Sequence, residues 1–372
     1  MFKGLEHHPE IVSDFLYMTD VRPKDIDMSD IIIFIRPSNI YAWKIAACAA
    51  KAGHVVVTLC DDDLLNLPND LPVIPWRKAG LLKVLKYSDA IWSSSSYVLN
   101  KYKHLIKGTS SIRLDTIVYS NELPSLCIKH SNFPIKIVYA AAKSHAQMFE
   151  AFISPIVPKL CDKYGSNISF TFVGVHPNIP GVNCEYISSM PLLEYRQYMR
   201  QQRFDIGVAP LYESDFTKCK YFNKFIEYTT QGIVGVFSNV EPYKSVIIDG
   251  ENGFLANNTP EEWLKTLNYV IEEKTLRETC LKNAVDYLKE YHNESTIIER
   301  LKNAFPEAFS DSLREYKRCR SFFLQKIIYT LSRPFDWIWL SLFYLRRTGL
   351  VDVIDRAKKR LLRDNSYSRR KE

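Results

Sequence analysis

The sequence predicts an α/β protein: two successive domains of parallel strands alternating with helices, followed by a basic, amphipathic helical tail. Three observations carry this. Short apolar runs alternate with amphipathic stretches along most of the chain. At 372 residues, 46% hydrophobic and 24% charged, the chain has a globular composition and length enough for two ordinary domains. The charge is uneven: the formal total is +7, but residues 313–372 carry 16 Lys/Arg against 6 Asp/Glu, a net of +10, leaving 33 against 36, or −3, for residues 1–312.

In the first domain (1–128) strands are expected at Ile31–Ile35, Val55–Leu59, Ala90–Ser93 and 116–119, with helices near 41–52, 78–88 and 96–106. Residues 121–134 hold two prolines and no helical period, which places the interdomain linker there. In the second domain (133–309) strands are expected at 135–139, 169–173, Ile206–Ala209 and 234–237, with helices near 146–163, 192–201, 218–231, 261–273 and 276–291. Thr259-Pro260-Glu261-Glu262 combines a capping box with proline at the first helical position, a helix start ahead of Trp263. The amino terminus, MFKGLEHHPE, has no apolar run behind a basic start, so no secretory signal is expected. The cysteines (48, 60, 127, 161, 184, 219, 280 and 319) include no Cys-x-x-Cys pair; neither a zinc cage nor a disulfide framework is expected, and a reducing cytosol fits.

Glycine is scarce, 13 in all, and no G-x-G-x-x-G or G-x-x-x-x-G-K-[ST] occurs, which excludes the glycine-rich dinucleotide and P-loop sites. A phosphate would have to be held otherwise. Ala140-Ala141-Ala142-Lys143-Ser144-His145 leads from a strand into a helix, where small residues let backbone N–H groups approach an anion that the helix dipole favours. Lys143 and His145 would add charge or donors; a plain helix start capped by Ser144 is the other reading.

A helix over 220–231, ended by Gly232, would align Lys220, Lys224 and Glu227 within about 60° of one another, with Phe222, Phe225 and Ile226 on the opposite side. Two ammonium groups and a carboxylate on one line suit a nucleotide sugar, the lysines on its diphosphate and the carboxylate on ribose hydroxyls. The stripe equally fits a solvated face with a Lys224–Glu227 ion pair, worth roughly a few tenths of a kcal/mol.

The order of features in this half is distinctive. A strand ends in Ala209-Pro210-Leu211; then come Lys224-Phe225-Ile226-Glu227-Tyr228, Gly232, a strand ending in Ser238, Pro242-Tyr243, and Asp249-Gly250-Glu251-Asn252-Gly253-Phe254-Leu255. Over roughly residues 204–292 this resembles the carboxyl-terminal half of GT-B glycosyltransferases, in particular family-4-like members that build bacterial surface polysaccharides. The resemblance implies two Rossmann-like domains facing a cleft. It also implies a nucleotide-diphosphate sugar as co-substrate with no other cofactor, no metal, and retention of anomeric configuration. By resemblance the 140–145 loop, with Lys143, Ser144 and His145, covers the donor phosphates; Lys220, Lys224, Glu227, Ser238 and Tyr243 complete the donor site, and Lys224 and Glu227 are catalytic. Family-4 relatives often carry a second glutamate eight positions before the one matched by Glu227. Here that position is Cys219, and Glu213 or Asp215 could stand in for it.

In the first domain Asp61-Asp62-Asp63 follows a strand, at the end where parallel sheets place their ligands. Adjacent carboxylates raise a divalent metal; the family resemblance argues against one, and a loop with a helix cap is the plainer reading of at least two of the three. Asp61 is the candidate catalytic residue toward the acceptor hydroxyl, with Asp62 and Arg36, at the end of the preceding strand, on the acceptor side.

The tail has its own physics. Residues 322–345 are rich in aromatic and aliphatic side chains but contain Lys326, Arg333 and Asp336, and the longest clean run falls short of a bilayer span. Leu350, Ile354, Ala357 and Leu361 repeat at helical spacing beside Arg356, Lys358, Lys359, Arg360 and Arg363, a pattern that suits the surface of an anionic membrane. A helix pair docked on the first domain is the alternative. Nucleic acid is not expected, as no recognition fold accompanies the charge. These features anticipate a cytoplasmic glycosyltransferase, peripheral on the inner face of the cell membrane, acting on a lipid-linked or other glycan acceptor. The alternatives are a nucleotide-sugar 2-epimerase or polyol-phosphate transferase on the same fold, or a non-catalytic scaffold of a polysaccharide assembly complex.

Overall fold

A computed structural model describes residues 11–67, 75–124, 134–142, 145–179, 181–306, 317–319, 321–350 and 353–354. The chain forms two compact units, each a Rossmann-like α/β layer structure. One is built mainly on Ser13–Ser93 and Val98–Arg113 with the described part of the tail, the other on Leu114–Pro306.

The first unit runs α1 (Pro23–Asp27), β1 (Ile31–Ile35), α2 (Ile40–Ala52), β2 (Val55–Leu59), α3 (Pro75–Leu85), β3 (Ala90–Ser93), α4 (Ser96–Tyr102) and β4 (Ser110–Arg113). The strands pair in parallel in the order β1-β2-β3-β4, with Ile31 opposite Val55 and Leu59 opposite Trp92. Asn39 caps α2 by accepting from the Ala42 amide at 2.8 Å, and Gly53 ends it in the left-handed region at φ 98°. Tyr41, Ala42, Ile45, Ala46 and Ala49 recur at helical spacing and bury against Phe34 and Val56.

The expected strand at 116–119 does not form. The Thr116 amide donates to the Tyr221 hydroxyl at 3.2 Å and the Val118 amide to the His292 carbonyl at 2.8 Å, so this backbone is satisfied without a ladder. The fourth strand is instead the polar Ser110–Arg113, whose alternating half-buried and exposed positions befit a sheet edge.

The second unit runs β5 (Ile135–Ala140), α5 (Ala146–Phe152), α6 (Val157–Tyr164), β6 (Ile168–Val173), β7 (Glu185–Ile187), α7 (Leu192–Gln202), β8 (Ile206–Ala209), α8 (Asn223–Thr230), β9 (Val234–Ser238), β10 (Phe254–Ala256), α9 (Pro260–Glu272), α10 (Lys274–Tyr291) and α11 (Glu294–Ala304). Its six parallel strands lie in the order β10-β9-β8-β5-β6-β7. The chain therefore lays β6 and β7 on one side of β5, then returns to build β8, β9 and β10 on the other. That reversal sits between β5 and β8, and loops leaving the carboxyl ends of strands at such a point diverge and leave room for a ligand. Strands β8 and β9 are buried along their whole length, which is why they read as unbroken apolar runs. Thr259 caps α9 as expected, its hydroxyl accepting from the Glu262 amide at 3.3 Å.

The tail's long helix, α12 (Phe323–Thr348), packs on α2. Tyr329 stacks on Tyr41 with ring centroids 5.8 Å apart, and Phe322 meets the same ring edge-on. Cys48 and Cys319 are joined as a disulfide, their Cα atoms 5.8 Å apart. This departs from the expectation that the cysteines stay unpaired; the partners are 271 residues apart, so no local spacing announces them. Among the described residues no helix is long and apolar enough to cross a membrane. Leu350 and Ile354 are exposed, while Ala357, Leu361 and the basic residues 356–363 lie outside the described residues.

Candidate functional site

Helix α8 begins at Asn223, three residues later than the charged line requires. Ser214 and Thr217 close a turn on each other, a single 3-10 turn follows at Thr217–Cys219, and Lys220 leaves it with extended backbone, ψ 161°. Tyr221 is then tied by its hydroxyl to Asp115 at 3.1 Å and to the Thr116 amide, so the helix restarts only beyond it. Lys220 is not on the helix, and the expected line of three is corrected to two, Lys224 and Glu227. Phe222, Phe225, Ile226, Tyr228 and Thr229 are buried as the apolar side, and Gly232, at φ 76°, ends the segment.

The Lys224 ammonium lies 2.8 and 2.9 Å from the two Glu227 carboxylate oxygens. Glu227 also accepts from the Tyr195 hydroxyl of α7. Burial, and then the Glu227 charge, push the Tyr195 phenol far above its ordinary range, so it remains a donor at any physiological pH. Tyr195 escaped the sequence reading because it belongs to another helix, 32 residues upstream, and no spacing rule links the two.

Lys220 and His145 complete this cluster despite their separation in sequence. Burial first, then the charges of Lys220 and Lys224, lower the His145 imidazole below its ordinary value and keep it neutral. Lys220 is half-buried, lies over the Phe216 ring at 5.0 Å, and makes no ion pair among the described residues. The Tyr139 hydroxyl donates to the His145 carbonyl at 2.9 Å and so fixes the turn after β5. Lys143 and Ser144 lie outside the described residues. The cluster stands where β5 and β8 flank the strand reversal: His145 in the connection after β5, Lys220 and α8 in the connection after β8.

Ser238 and Tyr243 have structural contacts instead of open ones. The Ser238 hydroxyl is fully buried, accepting from the Leu211 amide at 2.8 Å and donating to Asn258 at 2.6 Å. It ties the end of β9 to the segments on either side. Tyr243 is buried with its ring 4.7 Å from that of Phe237. Cys219 is buried, its thiol 3.2 Å from the Asp215 carbonyl, and Glu213 pairs with Lys218 at 3.4 Å.

In the first unit the structure joins two candidates that the sequence treats separately. Arg36, at the end of β1, makes a two-pronged ion pair with Asp61, at the end of β2, and reaches Asp62 at 3.4 Å. Arg36 takes the left-handed region, φ 46°, a conformation that costs a non-glycine residue energy and is held here by the pair. The hydrogen bond to Asp61 raises the guanidinium above its ordinary value against the effect of burial. Both Asp61 oxygens are thus directed at Arg36, and the three acceptor-side candidates, Arg36, Asp61 and Asp62, lie in one cluster. Asp63 turns inward: its fully buried carboxylate accepts from Lys101, Tyr102 and Asn66. Burial alone would raise it, but these hydrogen bonds win and lower it. The three adjacent aspartates therefore do not converge on one point.

With two parallel Rossmann-like sheets, the protein has the fold of GT-B glycosyltransferases. Solved structures to which it is similar include glycosyltransferases that are remote in sequence. An alpha-glucosyltransferase in complex with UDP and DNA containing an HMU base is 12% identical at TM-score 0.56, over 76% of this chain and 82% of that one. HepE of Anabaena, with UDP and glucose, is 11% identical at TM-score 0.50, over 76% and 79%. TarM of S. aureus, with UDP and alpha-GlcNAc-glycerol, is 11% identical at TM-score 0.50 over 68% of this chain; the match spans about half, 51%, of that protein. No family model matches the chain, and no curated protein does.

Proposed function

We propose that the protein transfers a sugar from a nucleoside-diphosphate donor to a glycan acceptor, lipid-linked, in the synthesis of a surface polysaccharide. One observation carries the reading: Lys220, Lys224, neutral His145 and Glu227 gather beside the strand reversal of the second sheet, on the fold of enzymes solved with UDP. Such a cluster matches the parts of a nucleotide sugar. Lys220 and Lys224 would neutralise charge that grows on the leaving diphosphate as the anomeric bond breaks. His145, with Lys143 and Ser144 beside it in sequence, would donate to phosphate oxygens. Glu227, turned by Tyr195, would accept from ribose hydroxyls. Ser238 and Tyr243 would hold the floor under these groups. In the first unit, Arg36 with Asp61 and Asp62 would receive the acceptor hydroxyls, Asp61 orienting Arg36. Basic side chains suffice for the leaving group, so the reaction would need no metal, and the fold family suggests retention.

We place the enzyme on the cytoplasmic face of an anionic membrane, held by residues 313–372, whose net charge is +10. The test of the transfer reading is a thermal-shift panel of UDP, GDP, CDP and dTDP sugars on wild type and Glu227→Gln. Stabilisation of wild type by one sugar nucleotide, lost in the variant, is expected, since ligand bound to the native state raises its stability. No response to any of them would favour a scaffold. Product analysis with the responding donor separates transfer from epimerisation.

A further inference from the structure

Helix α12 wears its apolar face outward. Leu324, Ile328, Leu331, Phe335, Ile338 and Leu342 recur in alternating steps of four and three, and each is 45–67% exposed. Leu345 ends the series, which runs about 32 Å along one side of the helix. On the side that meets α2, Tyr329 stacks on Tyr41 and is only partly exposed. A stripe this long is unusual on a protein surface and marks a contact with something else.

The steps of four and three would also suit a coiled coil with a second copy, but the flanking positions do not. They hold Gln325, Ile327, Ser332, Pro334, Trp339 and Ser341, where paired helices place alternating Glu and Lys. Pro334 also removes a backbone donor from the middle of the helix. The charges point to a lipid surface instead. Within α12 there are four basic residues and one acidic, Arg346 and Arg347 stand exposed in the last turn, and the basic run resumes at Arg356.

We propose that α12 is an in-plane lipid-docking helix, its stripe from Leu324 to Leu345 entering the acyl boundary of an anionic bilayer while its terminal arginines meet headgroup phosphates. This deepens the membrane association proposed above and rests on it; it moves the lipid contact from the basic end, where the sequence suggests it, to the outward face of α12. It does not depend on which reaction the second unit performs.

The test is flotation of the full-length protein with vesicles of phosphatidylglycerol and phosphatidylcholine, comparing wild type with two variants. One is Leu331→Glu with Ile338→Glu; the other changes Arg356, Lys358, Lys359 and Arg360 to Gln. The glutamate pair should lower partition by more than roughly tenfold, since it places two charges in the boundary, with the melting temperature unchanged because both positions face solvent. The glutamine variant should retain the larger part of the binding. Loss only in the glutamine variant overturns the assignment and leaves a contact made by the basic end alone. Absence of binding by wild type overturns the membrane reading as well. A wild-type dimer that the glutamate pair splits, with no vesicle binding, gives the stripe to a second copy. If the glutamate pair melts early, brominated lipids decide: they should quench wild type more than Trp337→Phe with Trp339→Phe, and equal quenching overturns the proposal.

Discussion

Lys224 and Glu227, one helical turn apart on α8, hold each other through both carboxylate oxygens at 2.8 and 2.9 Å, with the Tyr195 hydroxyl on the same carboxylate. A half-exposed pair of this kind adds little stability. Its consequence is orientation: the carboxylate is set in place before any ligand arrives.

Removing the charge should therefore damage binding and spare the fold. Glu227→Gln is expected to weaken sugar-nucleotide affinity roughly 10- to 100-fold, the worth of a hydrogen bond to a charged group, with little change in melting temperature. Calorimetric titration beside a melting curve measures both. Tyr195→Phe keeps the carboxylate but frees it to turn, so donor KM should rise roughly three- to tenfold with kcat less affected.

The His145 imidazole, lowered by burial and by Lys220 and Lys224, gives a pH dependence of defined sign. Below the unfolded value of about 6.5 the unfolded chain takes up a proton that the folded chain resists, so stability falls with pH. His145→Gln should lose less stability than wild type on acidification from about pH 7.5 to about pH 5.5, as read by chemical denaturation. A bound diphosphate offsets the two lysines, so wild type should bind it more tightly as pH falls through this range, and the variant should not.

Gly207 on β8 makes room for Tyr228. A Cβ there would lie 2.6–2.7 Å from three atoms of the Tyr228 ring, which is completely buried and donates to the Val208 carbonyl at 2.8 Å. Gly207→Ala should cost about 1–3 kcal/mol by overpacking, visible as a lower denaturation midpoint. Because Tyr228 adjoins Glu227, donor affinity should fall with it.

Asp63 is held below its ordinary range by Lys101, Tyr102 and Asn66 against the effect of burial. Its contribution is present above the unfolded value of about 3.9 and is lost as pH falls through the folded one. Asp63→Asn should lower stability by roughly 2–3 kcal/mol at neutral pH, and the difference from wild type should shrink in acid.

Much of the fold was legible along the chain. Strands β2, β3 and β8 lie at their expected bounds, because a strand buried on both faces in a parallel sheet must be an unbroken apolar run between turn residues. The edge strand β1 does too, since Ile31–Ile35 is apolar throughout although only Phe34 is fully buried. The other edge strands escape that rule. The polar Ser110–Arg113, Glu185–Ile187 and the short Phe254–Ala256 carry little apolar signal, and 116–119 looks like a strand although its amides bond to Tyr221 and His292.

The candidate site divides the same way. Lys224 and Glu227 follow from helical spacing, since positions three apart share a helix face by geometry alone. Spacing could not show that Lys220 precedes the helix, since the cause is the hydrogen bonding of Tyr221 with residues more than 100 positions away.

By itself the sequence determined the two α/β units, the buried strands and the charge of the tail, all properties of neighbouring residues. Only the tertiary structure decided which distant groups come together: His145 within reach of the Lys220 and Lys224 charges, Tyr195 with Glu227, Arg36 with Asp61, and Cys48 with Cys319. It also decided which face of α12 looks outward, because periodicity fixes that a helix has an apolar side, whereas packing chooses what that side meets.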